Sequence, residues 1–321
     1  MTVHFRSVED QVYVVLNLLM ATIGSLASLL TIILIRRMKM QRTGHIILVL
    51  WMSRFQLMYD LTFFFSNVDC GYYITVAADF FQLCCGMSSA LVSNWIAFIA
   101  WHVVSYRVKF DVLKHFYFIL PSCVVPSLVD AIIYATATIP QPDTNDYLED
   151  VSVLGFYYYT RLVSIGFNFV FCVLTIYLIH QMSPNRKIKS EAEIAIRNVA
   201  IRMIYYPVVQ AIGRSGYAWY EAQYGTSIDV TDQPGKFACL IFMTVVTPLQ
   251  SVGYLIIFLI MQPDAYLHFK SMITGVPFEE LEARHAQQAA RTSRMSTEDI
   301  YDYYSKTSQS RHHQSSSAHV S

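Results

Sequence analysis

The chain has 321 residues, 54% of them hydrophobic and only 14% charged, and its 23 basic and 23 acidic side chains cancel, with a mean hydropathy of +0.37. Soluble domains carry roughly 25% charged residues, so there is too little charge here to cover a water-soluble globule. A net charge of zero gives nothing to attract nucleic acid, and no nucleic-acid partner is expected. The six cysteines form no CxxC pair and suggest neither a zinc site nor a disulfide framework.

Residues 1–11 are short and polar and are read as an extracellular N-terminus. The first apolar block, Val12–Ile35, has no charge. It is too long for a signal-peptide core and lacks a small-residue cleavage site, so it is expected to stay as a first span. A spanning helix needs about 20 mainly apolar residues, and six further blocks reach that length. They are His45–Ser66, Ile74–Val104, Phe116–Ile139, Phe156–Ile179, Ile194–Tyr220 and Phe237–Met261. The second and sixth of the seven are the weakest, because each holds ionisable residues.

The loops set the orientation. Arg36, Arg37, Lys39 and Arg42 lie between helices 1 and 2; Arg107, Lys109 and Lys114 between 3 and 4; Arg186, Lys187 and Lys189 between 5 and 6, followed by Arg197 and Arg202. The alternate loops are acidic or uncharged, as with Asp143, Asp146, Glu149 and Asp150 between helices 4 and 5. Basic residues stay on the cytoplasmic side during insertion. The N-terminus is therefore expected outside and the C-terminus inside, in an all-α, seven-transmembrane helix bundle covering residues 12–262. Residues 263–278, with Tyr266, Phe269 and Ile273 at helical spacing, suit a short amphipathic helix on the inner membrane face. Residues 279–321, rich in Ser, Gln, His and Arg, are expected to form a disordered cytoplasmic tail. Ser293 and Ser296 sit there beside arginines and are candidate phosphorylation sites.

Ionisable residues inside a membrane are costly and mark function by default. Arg54 falls near mid-depth. Asp60, Asp79, Asp130, Arg161 and Arg214 come from five different helices, yet all lie about 6–13 Å below the outer edge at 1.5 Å per residue. They are candidates for a polar ligand cavity open to the outside, the two arginines suiting an anionic or zwitterionic ligand. Interhelical ion pairs, such as Asp130 with Arg161, are the alternative. Pro121, Pro126, Pro207 and Pro248 each remove a backbone donor, and kinks at the last two would provide hinges in helices 6 and 7. The basic stretch Arg186, Lys187 and Lys189, continuing through Arg197 and Arg202, would either anchor to anionic membrane lipid or dock a cytoplasmic partner, together with Arg107 and Lys109.

The ordered set of short motifs resembles the cyclic-AMP-receptor-like family of G protein-coupled receptors found in microbial eukaryotes, including fungal relatives. The motifs are Gly24-Ser25 in helix 1; Phe81, Ser88 and Trp95 along helix 3; Tyr206-Pro207 in helix 6 with Arg202 on its cytoplasmic side; Pro248-Leu249-Gln250 in helix 7; and Gln262-Pro263 through Tyr266 beyond it. Ser251-Val252-Gly253-Tyr254 stands where the family commonly has Gly-Phe-x-Asn, Gln56 where many members have aspartate, and Cys70 has no cysteine partner in the loop between helices 4 and 5. The resemblance implies a plasma-membrane receptor for an unknown small extracellular ligand. It would signal to a heterotrimeric G protein by movement of helices 5 and 6, with Trp95, Tyr206, Pro207, Pro248 and Gln250 as switch and hinge residues.

Three other classes are weighed against this. A seven-helix transporter of a small charged metabolite usually shows two related halves, and none are visible. A retinal protein needs a lysine inside the bundle, whereas Lys236 falls at the outer edge of helix 7. A membrane zinc hydrolase needs His and acidic ligands together, but His45, His102 and His180 fall at the inner helix ends, away from the acidic residues. No enzyme activity, cofactor or metal is expected.

Overall fold

The computed structural model describes residues 8–38, 44–66, 72–108, 110–140, 147–149, 151–181, 191–224 and 234–287. The elements are α1 (Val8–Arg37), α2 (Gly44–Ser66), α3 (Tyr72–Tyr106), α4 (Val112–Ala137), β1 (Thr138–Pro140), β2 (Tyr147–Glu149), α5 (Val151–Gln181), α6 (Glu191–Tyr224), α7 (Pro234–Met261) and α8 (Pro263–Thr274). A further helix, α9, covers residues 278–287. The chain divides into two compact units, Met1–Gln262 and Pro263–Ser321.

Six of these helices are long and apolar enough to cross a membrane: Gln11–Arg37, Gly44–Phe65, Val76–Tyr106, Val112–Ala135, Tyr159–Gln181 and Gly235–Met261. Helix α6 is as long as the others, but Glu191, Glu193, Arg197, Arg202, Arg214 and Glu221 make it too polar to qualify by composition. Two details depart from the sequence reading. The described residues are all-α but for a short antiparallel ribbon that the sequence reading does not include, pairing Thr138 with Glu149, Ile139 with Leu148 and Pro140 with Tyr147; the β-branched Thr138-Ile139 before a proline favours extended backbone. The expected disorder from residue 279 fails at α9. Its sequence after Pro277 is made of good helix formers, and Arg284 pairs with Glu280 one turn back, 2.5 Å away. The remaining tail, with Ser293 and Ser296, lies outside the described residues.

Local chemistry sets the helix ends. Asp111 caps α4, its Oδ1 accepting from the backbone N–H of Lys114 at 3.1 Å. Arg107, just past α3, adopts φ +56°, the left-handed conformation that often ends a helix. Some hydroxyls inside the helices donate to the preceding turn, as with Thr31 to Ala27 O at 2.9 Å, Ser127 to Cys123 O at 2.7 Å and Thr244 to Leu240 O at 2.8 Å, while the buried hydroxyls of Ser25, Ser28, Ser53 and Ser93 have no partner among the described residues.

Within the first unit, α3 is central and packs against α2, α4, α5 and α6, while α7 closes on α1 and α6. Helix α4 touches α5 only sparsely. The distribution of polarity is inverted relative to a soluble protein. Large apolar side chains face outward, among them Tyr117 (89% exposed), Phe118, Val163, Phe169 and Ile260. Asn17, Ser28, Gln56, Asp60, Ser89, Asn168, Gln210 and Gln250 are buried. This is the pattern of a helical membrane protein, where lipid solvates the apolar exterior and polar groups must find partners inside.

Close approach of α1 to α2 and α7 depends on one glycine. A Cβ at Gly24 would lie 2.8 Å from Asp60 Oδ2 and 3.2 Å from Pro248 Cβ, whereas one at Gly166 would meet nothing within 4 Å. Gly24→Val is expected to cost about 1–3 kcal/mol through overpacking and to lower the thermal midpoint of the detergent-solubilised protein. Gly166→Ala is expected to leave that midpoint unchanged or raise it. Equal effects from the two would refute the close-packing role of Gly24.

Candidate functional site

The polar centre of the bundle is built from residues one helical turn apart: Gln56 and Asp60 on α2, Gln210 and Arg214 on α6, Gln250 and Tyr254 on α7. Residues at i and i+4 share a helix face, so each pair presents two polar groups inward.

Asp60, fully buried, is the hub of the first layer. Its Oδ2 accepts from Ser251 Oγ on α7 at 2.8 Å, and its Oδ1 accepts from Gln56 Nε2 at 3.1 Å. Gln56 Oε1 in turn accepts from Ser89 Oγ on α3 at 3.4 Å. One carboxylate therefore ties α2 to α7 directly and to α3 through an amide. The second layer is a triangle in which Gln250 Nε2 donates to Gln210 Oε1 and to Tyr254 OH, and Tyr254 OH donates to Gln210 Oε1. Tyr206 packs against the Tyr254 ring with centroids 6.0 Å apart. Thr247 Oγ1 donates to Gly213 O at 3.2 Å, a second link between α7 and α6.

Arg214 reaches from α6 into α3. Its Nη2 donates to Gly86 O at 3.3 Å, and its guanidinium lies over the Tyr59 ring, 4.3 Å from the centroid. Only glycine fits beneath: a Cβ at position 86 would stand 2.9 Å from the Tyr59 ring and 3.2 Å from Arg214 Nη1. The Nε of Arg214 is buried without a partner. Arg161 on α5 shares a small cleft with Arg214, lined also by Gly86, Ser164, Asn168 and Gln210. The cleft is about 10 Å³, room for one water.

No protein-family model matches the chain, and no curated protein matches it.

The structure thus brings Arg161 and Arg214 to one cleft and sets Asp60 close enough to Arg214 for their charges to interact. Asp130 is 6% exposed and feels the charge of Arg161 and the hydroxyl of Thr160. Asp79 is half-buried on α3 and does not line the Arg161–Arg214 cleft. Arg54 lies over the Trp51 ring at 4.7 Å. Of the switch candidates, Tyr206, Pro207, Pro248 and Gln250 are buried in or beside the polar layers, whereas Trp95 points the other way and donates to Ser122 Oγ on α4 at 2.9 Å. Of the basic surface residues, Arg107 and Arg202 are exposed and Arg197 half-buried; Lys109, Arg186, Lys187 and Lys189 lie outside the described residues. Gln56, Ser89, Gln210, Ser251 and Tyr254 were not singled out from sequence. The i, i+4 polar pairs on α2, α6 and α7 are the signal that would have found all but Ser89 and Ser251.

Removing a buried hydrogen-bonding group while its partners stay buried costs about 1–3 kcal/mol. Asp60→Leu orphans Ser251 and Gln56 and is expected to lower the thermal midpoint more than Asp60→Asn, which keeps an acceptor for Ser251. Equal midpoints for the two variants would show that Asp60 is not the hub of this layer.

Proposed function

We propose that the chain is a seven-helix receptor of the plasma membrane, with its N-terminus outside, that binds a small anionic or zwitterionic extracellular ligand and signals to a heterotrimeric G protein through movement of α5 and α6. The observation that carries this reading is the Arg214 tether. Besides the apolar packing of α6 on α3, Arg214 links α6 to α3 by one 3.3 Å bond to Gly86 O and to α2 by its contact with the Tyr59 ring, and one donor of the same guanidinium is unused. A carboxylate or phosphate bridging Arg161 and Arg214 would compete for that guanidinium with stronger, charge-assisted bonds. The cleft has room for only one water, so ligand entry requires α6 to move from α3. Ligand binding and helix movement are then one event, a population shift between two packings.

The rest of the molecule is consistent with such a movement. Pro207 and Pro248 lie inside α6 and α7 and deprive the carbonyls of Met203 and Thr244 of their i+4 donors. Besides the short Gln210–Gln250–Tyr254 contacts, α6 and α7 are joined by the Thr247–Gly213 bond. These are neutral groups, and interhelical hydrogen bonds in membranes average only about 0.6 kcal/mol. Exposed Arg202 and Arg107 supply a basic surface for the partner at the end where α6 begins and α3 finishes.

The test uses the full chain in lipid nanodiscs with purified heterotrimeric G proteins and a panel of charged metabolites, reading nucleotide exchange. Arg214→Ala, which cuts the tether, is expected to raise basal exchange and abolish the ligand response. Arg161→Ala is expected to weaken the response at least about tenfold, the loss of roughly 1.4 kcal/mol, without raising basal exchange. Absence of exchange with every Gα and every ligand, with metabolite flux in proteoliposomes instead, would replace the receptor reading by transport.

A further inference from the structure

A second cavity, far larger than the cleft of Arg161 and Arg214, lies elsewhere in the bundle. A cleft of about 540 Å³ lies between α3, α4 and α5, within the roughly 300–1,000 Å³ of small-molecule sites. It exists because α4 and α5 barely touch. Its walls are Leu91, Trp95, Phe98, Pro126, Val163 and Phe167. Val163 is 69% exposed on the outer surface of the bundle, so the cleft opens sideways, toward lipid. The aromatic wall is held in place. Trp95 is fixed by its bond to Ser122 and meets Phe98 and Phe118 edge-on at 5.6 and 6.0 Å; Phe171 backs both Phe98 and Phe167, at 5.7 and 4.4 Å.

We infer that this cleft is a binding site for a neutral, rigid lipid of the sterol class that enters from the bilayer. Three observations select that occupant. No charged side chain lines the cleft, so a phosphate or carboxylate headgroup has no counter-charge there and would be stranded at high cost. The lining runs from Met87 to Phe98 of α3, about 16 Å at 1.5 Å per residue, with Trp95, Phe98 and Phe167 as its aromatic faces; a flat, stiff ligand fills such a slot without the entropy loss of a flexible chain. Lastly, one backbone acceptor lacks its helical donor. Pro126 has no N–H, so the carbonyl of Ser122 loses its i+4 partner, and both residues line the cleft. The neighbouring side-chain groups are already paired. Ser122 Oγ donates to Ile119 O at 2.7 Å while accepting from Trp95. With its amide oriented to satisfy its neighbours, Asn94 accepts from Ser164 Oγ at 3.0 Å and donates to Asn168 Oδ1 at 2.8 Å and to one of the carbonyls of Ala90 and Ser164 at 3.2 Å. A single free acceptor in an apolar slot matches a ligand with a single hydroxyl.

The cleft shares Met87 and Ser164 with the cleft of Arg161 and Arg214. An occupant pressing on these two side chains would bias the α6 tether from the lipid side.

The site can be tested by reconstituting the full chain in phosphatidylcholine nanodiscs with a diazirine-bearing sterol as photoprobe. Saturable crosslinks are expected on peptides of α3, α4 and α5, displaced by unlabelled sterol and not by excess fatty acid. Val163→Trp and Leu91→Phe, which fill the slot from opposite walls, are each expected to lower labelling about tenfold at an unchanged thermal midpoint. Labelling spread over α1 and α7, labelling that does not saturate, displacement by fatty acid as effective as by sterol, or undiminished labelling in both variants would overturn the site. Because the readout is binding, it stands or falls independently of G protein coupling.

Discussion

In a bilayer a polar group finds no water, so every buried donor or acceptor must be satisfied by another part of the chain. The bond from Ser251 to Asp60 is where this requirement weighs most, because it anchors the buried carboxylate to α7. A charge at the centre of a membrane helix costs about 2.5–3.5 kcal/mol on insertion scales. That cost is offset only if α2, α3 and α7 stay in one register around the carboxylate. Gly24 is small because Asp60 occupies the space its side chain would need, and Gln56 is oriented by the same carboxylate. The arrangement of four helices thus follows from satisfying one side chain.

The other polar contacts differ in what they resist. Asp60 is enclosed and takes part in several bonds, so it fixes the packing of α2 on α7. Arg214 is held by one long bond and one ring face, with a donor left over, so it restrains α6 only weakly. A bundle with one rigid hub and one releasable tether can move the second part without disturbing the first, which is the mechanical requirement for a switch.

The helices were legible because length and apolarity alone decide whether a segment suits a bilayer. Val12–Ile35 was unmistakable for that reason, and six helices pass on composition. Helix α6 was read with difficulty, since Arg202 and Arg214 dilute its apolar character; its helix is plain only in the packed bundle. The ionisable residues could be picked out individually but not their relations. Equal depth on five helices implied a common cavity, whereas rotation about each helix axis sent Asp60 into a packed layer and Arg54 onto Trp51. Depth can be counted along a sequence; azimuth depends on tertiary packing. The neutral partners Gln210 and Ser251 are not marked as polar sites in the sequence, because uncharged residues in an apolar run raise no alarm. The α3–α4–α5 cleft was invisible for a different reason, being the product of two helices failing to meet.

The polarity of α6 also bears on how the protein is made. A segment carrying three arginines along its length would not partition into lipid alone, since each charge adds a few kcal/mol to the cost of leaving the aqueous channel of the insertion machinery. Arg214 meets Tyr59 of α2 and Gly86 of α3, both synthesised earlier, while Gln210 and Gly213 meet Gln250, Tyr254 and Thr247 of α7, synthesised later. On the seven-span reading proposed above, α6 would enter with α7 as a hairpin against helices already in place, and substitutions that weaken the α6–α7 contacts would be felt first as a failure of assembly.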